Sequence, residues 1–162
     1  MSPAAVPSGF SNSVLDLINE AERDVGKIRL VVIPELALTE DVATALAATL
    51  KPRGINLVCG VGRPSTDGQY GKNYVFYSLI ANAPAMQHKH HRWKLDEPQI
   101  RQYSAGAQLH IGTQYWEHID LSNRTLSFVE LQNWLNTCVL ICEDLSRCSA
   151  SVETGKSVPP LR

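Results

Sequence analysis

The sequence has little of what would make a membrane, secreted or nucleic-acid-binding chain. Its apolar runs, such as Leu30 to Ile33, fall far short of the roughly 20 residues that a membrane-spanning helix needs. The N-terminal stretch MSPAAVPSGFSNS has neither a basic n-region nor a long apolar h-region, so the expected compartment is the cytoplasm. Four cysteines (Cys59, Cys138, Cys142 and Cys148) are too few and too scattered for a secreted disulfide scaffold. Each is read first as a buried apolar residue or a reactive thiol. Charge is nearly balanced, 15 Lys+Arg against 16 Asp+Glu, a formal net charge of −1. That excludes nucleic-acid binding by charge alone. No repeat is present.

What is there belongs to a folded domain. Hydrophobic residues make up 44% and charged residues 19%, too apolar for a disordered chain. A chain of 162 residues buries one good core and not two. Residues 1–10 read as a flexible arm rich in Pro, Ser and Ala. Ser11 or Ser13 can cap a helix that runs to about Asp24, with Val14, Leu17, Ile18 and Ala21 on one face. Ile28 to Ile33 reads as a buried strand ended by Pro34. Thr39 can cap a second helix with Glu40 and Asp41 in its first turn. Ile55 to Val61 and Asn73 to Ile80 read as further strands, and Ala85 to Leu95 as a fourth at the rim of a cleft. Thr125 to Val129 reads as a short strand, and Thr137 to Cys142 as a buried one that makes Cys138 a core residue. The order of elements predicts helices packed on a mixed sheet. Residues 147–162 read as a disordered tail.

Three polar residues stand where strands end or change character: Glu35 after IRLVVIP, Lys89 within QHKHHRWKL, and Cys142 at the end of TCVLIC. Strand ends are where α/β proteins concentrate function. Cys142 is followed by Glu143 and Asp144. Acids alone raise a thiol's pKa, so a reactive thiolate there needs a base or a cation nearby. Glu35 and a lysine can supply both. Two other uses of the basic stretch are open. His88 and His90 share a strand face as metal ligands can, with His110, His118 or a cysteine to complete the set. HKHHRWK can also act as a basic, aromatic-bearing nucleic-acid contact, although no basic stripe exists elsewhere. Neither reading has a recognisable ligand spacing behind it, and no cofactor motif is present.

IRLVVIPEL, the Asn-led strand with QHKHH, and CVLICEDL together resemble the nitrilase (carbon–nitrogen hydrolase) superfamily over roughly residues 12–146. The resemblance implies an α/β fold, a four-layer α–β–β–α sandwich that is incomplete here. It implies catalytic Glu35, Lys89 and Cys142, no cofactor, and a small-molecule amide, nitrile or carbamoyl substrate. It involves no nucleic acid and no membrane, and it implies a homo-oligomer in a complete parent. Glu35 is then the general base, Cys142 forms a thioester, and the lysine with the N–H of Glu143 stabilises the oxyanion. Lys89 is placed ahead of Lys94 because His91 follows it two places on, and Asn73 precedes it by 16 residues. Glu97, eight residues after Lys89, is the candidate second carboxylate that orients the lysine and substrate.

Family members continue well past the nucleophile, whereas 20 residues follow Cys142 here. Two functional expectations follow. One is an amidase-like hydrolase, and the other a truncated, inactive remnant or a subunit that depends on a partner.

Overall fold

A computed structural model describes residues 7–131 and 135–145. The chain is a mixed α/β protein built on a four-stranded sheet. Strand β1 (Leu30–Leu38) runs parallel to β2 (Asn56–Arg63). Antiparallel pairing then adds β3 (Lys72–Ser78) and β4 (Ala85–His88), giving the order β1-β2-β3-β4. Helices α1 (Phe10–Val25) and α2 (Glu40–Leu50) flank the first strand in sequence. Two short pairs complete the fold: β5 (Lys94–Leu95) with β6 (Tyr115–Trp116), and β7 (Phe128–Leu131) with β8 (Leu135–Cys138). A one-and-a-half-turn helix, α3 (Glu97–Gln102), follows β5.

Strands β2 and β3 are buried on both faces, and their alternation divides the interior into two cores. Leu57, Cys59, Val61, Tyr74 and Phe76 point to the helical side, where they pack with Ile18, Leu38, Leu46 and Leu50. Val58, Val75 and Tyr77 point the other way, onto Leu79 and Ile141, with Val129 and Val139 packed beside them. The period of two sorts these side chains. The helices cover one face, and the segment leading to Cys142 lies against the other.

Several boundaries depart from the sequence expectations. Helix α1 begins at Phe10 after a left-handed Gly9, and no side chain caps it. Thr39 is the extended N-cap residue of α2, but its hydroxyl makes no capping hydrogen bond. Pro34 does not end β1: the strand continues through it to Leu38, with a shift of register between Ile33 and Leu38. Proline is tolerated there because β1 is an edge strand among the described residues, and no neighbour requires the missing N–H. The expected strand 85–95 is two strands, β4 and β5, with Lys89 in the break between them. The expected buried strand Thr137 to Cys142 is also corrected. Strand β8 ends at Cys138, which is half-buried rather than core, and Cys142 is exposed. The proposed tail at 147–162 and most of the arm at 1–10 lie outside the described residues.

Candidate active site

The parallel strand β1 delivers Glu35 to one end of the sheet, and the antiparallel neighbours bring two more residues there. Asn73 stands near the start of β3, and Lys89 directly follows β4. The Lys89 N–H donates to the Asn73 carbonyl at 2.9 Å, so the ladder itself sets the two side by side. The approach of β1 to β2 is close. A Cβ on Gly60 would come within 2.4 Å of both the Glu35 Cα and the Pro34 carbonyl oxygen. Only glycine fits there, and its absence of a side chain is what lets the Glu35 backbone sit against β2.

The side chains form one network around the lysine. Lys89 Nζ donates to Glu35 Oε1 at 2.9 Å and to Glu117 Oε2 at 2.8 Å. Asn73 Nδ2 donates to Glu35 Oε1 at 2.7 Å and to Glu117 Oε1 at 2.8 Å. The Trp93 N–H adds a further donor to Glu117 Oε2 at 3.2 Å. Two carboxylates therefore share one ammonium and one amide, and a carboxylate can only accept. The Lys89 side chain is 2% exposed. Burial alone would lower its pKa, but the hydrogen bonds and charges of Glu117 and Glu35 outweigh it and raise the pKa above the ordinary lysine value. Lys89 is a fixed cation.

Cys142 reaches this cluster from a different direction. Glu35, Leu36, Lys89, Trp93, Tyr103, Glu117 and Cys142 all line one open cavity of about 640 Å³. A second, mainly apolar cavity of about 250 Å³ also ends on Glu35 and Cys142. Cys142 adopts a left-handed backbone with φ 47°, and Leu36, beside Glu35, does so with φ 56°. For residues bearing a Cβ such geometry is strained, at about 1–3 kcal/mol each, and it clusters at functional sites. Although Cys142 is exposed as a residue, partial desolvation of its thiol and then the Glu35 charge raise it above its ordinary pKa. The Lys89 charge and a hydrogen bond from the Glu143 backbone N–H act in the opposite direction. The resting sulfur is a thiol with a carboxylate and an ammonium close by.

The remaining sequence candidates are placed elsewhere. Lys94 lies over the Trp116 ring, 5.8 Å from its centroid, and lines neither cavity. Glu97 pairs with Arg101 on the surface of α3 at 2.7 Å. The second carboxylate on Lys89 is Glu117, which sequence reasoning missed. It sits in an irregular stretch, YWEHID, with no motif around it. The histidines are dispersed. His88 stacks on Tyr74, His90 reaches the Thr125 carbonyl, and His91 pairs with Asp144. Among the described residues no group of three or more His, Cys, Asp or Glu is placed to hold a metal, and no helix is long and apolar enough to cross a membrane.

The fold and the polar cluster define a mixed α/β protein with a cysteine, a lysine and two glutamates at one end of its sheet. No known family model matches the sequence, and no curated protein matches it. Among solved structures the chain is similar to the glutamine-dependent NAD+ synthetase of Acinetobacter baumannii, determined in complex with ADP. The TM-score is 0.52 and the identity 14%, over 95% of this chain and 28% of that one. At that identity the likeness is one of fold, and this chain spans a little over a quarter of the neighbour's length.

Proposed function

We propose that the chain carries the catalytic centre of a carbon–nitrogen hydrolase of the nitrilase type, acting on a small carboxamide. The observation that carries this reading is the shared cavity: Glu35, Lys89 and Cys142 line it together, and Lys89 is hydrogen-bonded to Glu35. In the reaction Glu35 takes the proton of Cys142 as the sulfur attacks the carbonyl carbon. The Lys89 ammonium and the Glu143 N–H receive the oxyanion. The C–N bond then breaks, and ammonia leaves with the proton held by Glu35. Water, deprotonated by Glu35, attacks the thioester, and the proton returns to the sulfur as the acid departs. The resemblance of IRLVVIPEL and CVLICEDL to that superfamily supports the reading. So does the fold likeness to an enzyme described as glutamine-dependent, since glutamine ends in a carboxamide. The incomplete four-layer sandwich belongs to the same proposal.

The test is ammonia release from glutamine and simpler carboxamides by the full chain and by Cys142→Ala. Turnover that disappears in the variant supports the reading, and turnover that survives in it overturns the reading. A second reading, that activity needs a further polypeptide, has its own observation. Val32 on the edge strand is 67% exposed and Phe128 on β7 is 71% exposed, apolar positions of the kind that interfaces cover. Turnover from a monodisperse monomer in size-exclusion chromatography would dismiss it.

A further inference from the structure

We infer that Asp144 is a positioning residue, the group that locks the Lys89 loop to the Cys142 turn. The inference rests on the reading of Lys89 and Cys142 as the reacting centre. Asp144 is 1% exposed, and no lysine or arginine ion pair to it exists among the described residues. Its charge is met by donors from one short stretch instead. The His90 N–H donates to both carboxylate oxygens at 3.0 Å, the His91 N–H to Oδ1 at 2.8 Å, and the His91 imidazole to Oδ1 at 3.0 Å. A carboxylate only accepts, so the imidazole proton stands on Nδ1. Burying a carboxylate is costly unless such donors surround it, and here all of them come from the two residues after Lys89.

The other end of the contact is the cysteine turn. The Asp144 N–H donates to the Ile141 carbonyl at 2.9 Å, and the Leu145 N–H to the Cys142 carbonyl at 3.1 Å. Cys142 therefore sits inside a turn whose fourth member, Asp144, is bonded to the lysine loop. Lys89 is tied in turn to Asn73 on β3. The path runs from the sheet through Lys89 and the two histidine amides to Asp144, and so to the strained Cys142. This matters because Cys142 lies beyond the end of β8 and has no ladder to hold it. A neutral amide at position 144 would present an NH2 to the N–H of His90, replacing one acceptor by an opposed donor.

The experiment follows alkylation of Cys142 by iodoacetamide against pH in the full chain, in Asp144→Asn and in His91→Ala, locating the label by peptide mass spectrometry. Cys59 is buried, so its protection reports that the fold is intact. With Cys59 protected, Asp144→Asn is expected to raise the Cys142 rate at mildly alkaline pH about tenfold. Its midpoint moves down by about one unit toward an ordinary thiol as the cysteine leaves Glu35 and gains solvent. His91→Ala keeps the backbone donors and is expected to give a change of about twofold in the same direction. A Cys142 profile that coincides with the parent chain in a protected Asp144→Asn overturns the inference. Should that variant expose Cys59, His91→Ala decides: a faster Cys142 supports the lock and an unchanged one overturns it. Alkylation requires no turnover. Failure of the hydrolase reading, seen as amide hydrolysis that survives Cys142→Ala, is therefore read separately from failure of the lock.

Discussion

Glu35 and Asn73 stand on β1 and β3 of one sheet and Lys89 directly follows β4, whereas Cys142 stands on a turn beyond the last residue of β8. Asn73 and Lys89 are held by ladder hydrogen bonds, and Glu35 joins them through shared hydrogen bonds and an ion pair to Lys89. The cysteine is held by its turn, by the Asp144 contacts, and by Gln87, whose side chain donates to the Val139 carbonyl at 2.6 Å. Gln87 also accepts from the Ser127 N–H at 2.7 Å, so one buried amide on β4 anchors two points of the covering segment. A sheet-borne charge cluster is rigid because moving one member breaks several bonds. A turn-borne nucleophile can be aimed by a few contacts, and few losses are enough to misplace it. The two sides should therefore fail differently: the first by losing stability, the second by losing hydrolysis in a chain that remains folded.

Removing the cation should have the largest effect. Lys89→Met leaves Glu35 and Glu117 facing each other with only the Asn73 amide between them. Breaking a buried pair from one side costs about 3–5 kcal/mol, and the oxyanion would lose its cation. Chemical denaturation should report the first loss and ammonia release the second. A Lys89→Met protein as stable as the parent would show that the network is not what holds this end of the sheet. Gly60→Ala comes next. Its Cβ meets backbone atoms of Pro34 and Glu35 at 2.4 Å, and backbone cannot rotate away. Overpacking of this kind costs about 3 kcal/mol, and here the displaced group is the proposed base. The expected outcome is a destabilised chain with little hydrolysis. A crystal structure in which Glu35 has not moved would contradict the steric account.

This contrast also explains what was legible in the sequence. The helices, β2 and β3 follow from periodicity and composition, because both the apolar spacing and the β-branched residues point the same way. Glu35 stands out because it follows a strand whose pattern is strong, and Lys89 is set ahead of Lys94 by the spacing of His91 and Asn73. Glu117 does not stand out. It lies between β6 and a bridge from Gly71 to Ile119, and only three-dimensional pairing brings it to Lys89. Glu97 pairs with Arg101 and does not meet Lys89, because sequence distance along α3 says nothing of which face of the loop meets the site. The TCVLIC run misled for a related reason. Its apolar residues are packed against the sheet, as Val139 and Ile141 are, but the backbone leaves the ladder at Cys138. Apolar composition reports burial, and it does not distinguish a paired strand from a segment lying across one.

The two glutamates sharpen the point with a smaller effect. Glu117 accepts three donors, from Lys89, Asn73 and Trp93. Glu117→Gln turns one oxygen into a donor against donors, at about 1–2 kcal/mol. Glu97→Gln removes an exposed helical ion pair, and such pairs contribute less than about 0.5 kcal/mol. Hydrolysis should fall in the first variant and persist in the second. Equal behaviour of the two would remove Glu117 from the network's function.

The smallest expected effect separates two cysteines rather than two acids, and its sign can be worked out in advance. Alkylation needs the thiolate, so its rate at a given pH falls tenfold for each unit by which the thiol pKa rises above that pH. Cys59 is pushed up to about 12 by burial alone, and should stay unlabelled wherever the chain is folded. Cys142 is raised by partial desolvation and by Glu35 but lowered by Lys89. Its rate should climb through the alkaline range with a midpoint above the ordinary 9.0. Glu35→Gln removes the negative charge that raises the pKa, so the midpoint should move down and labelling at mildly alkaline pH should quicken. Lys89→Met removes the positive charge that lowers it, so the midpoint should move up and labelling should slow. The shifts should be small, since the cysteine is exposed and solvent screens both charges. Opposite signs in the two variants, read by peptide mass spectrometry, would place both charges beside the sulfur. Shifts of the same sign, or none, would mean that Cys142 responds to solvent alone and that Glu35 is too far away to act as its base.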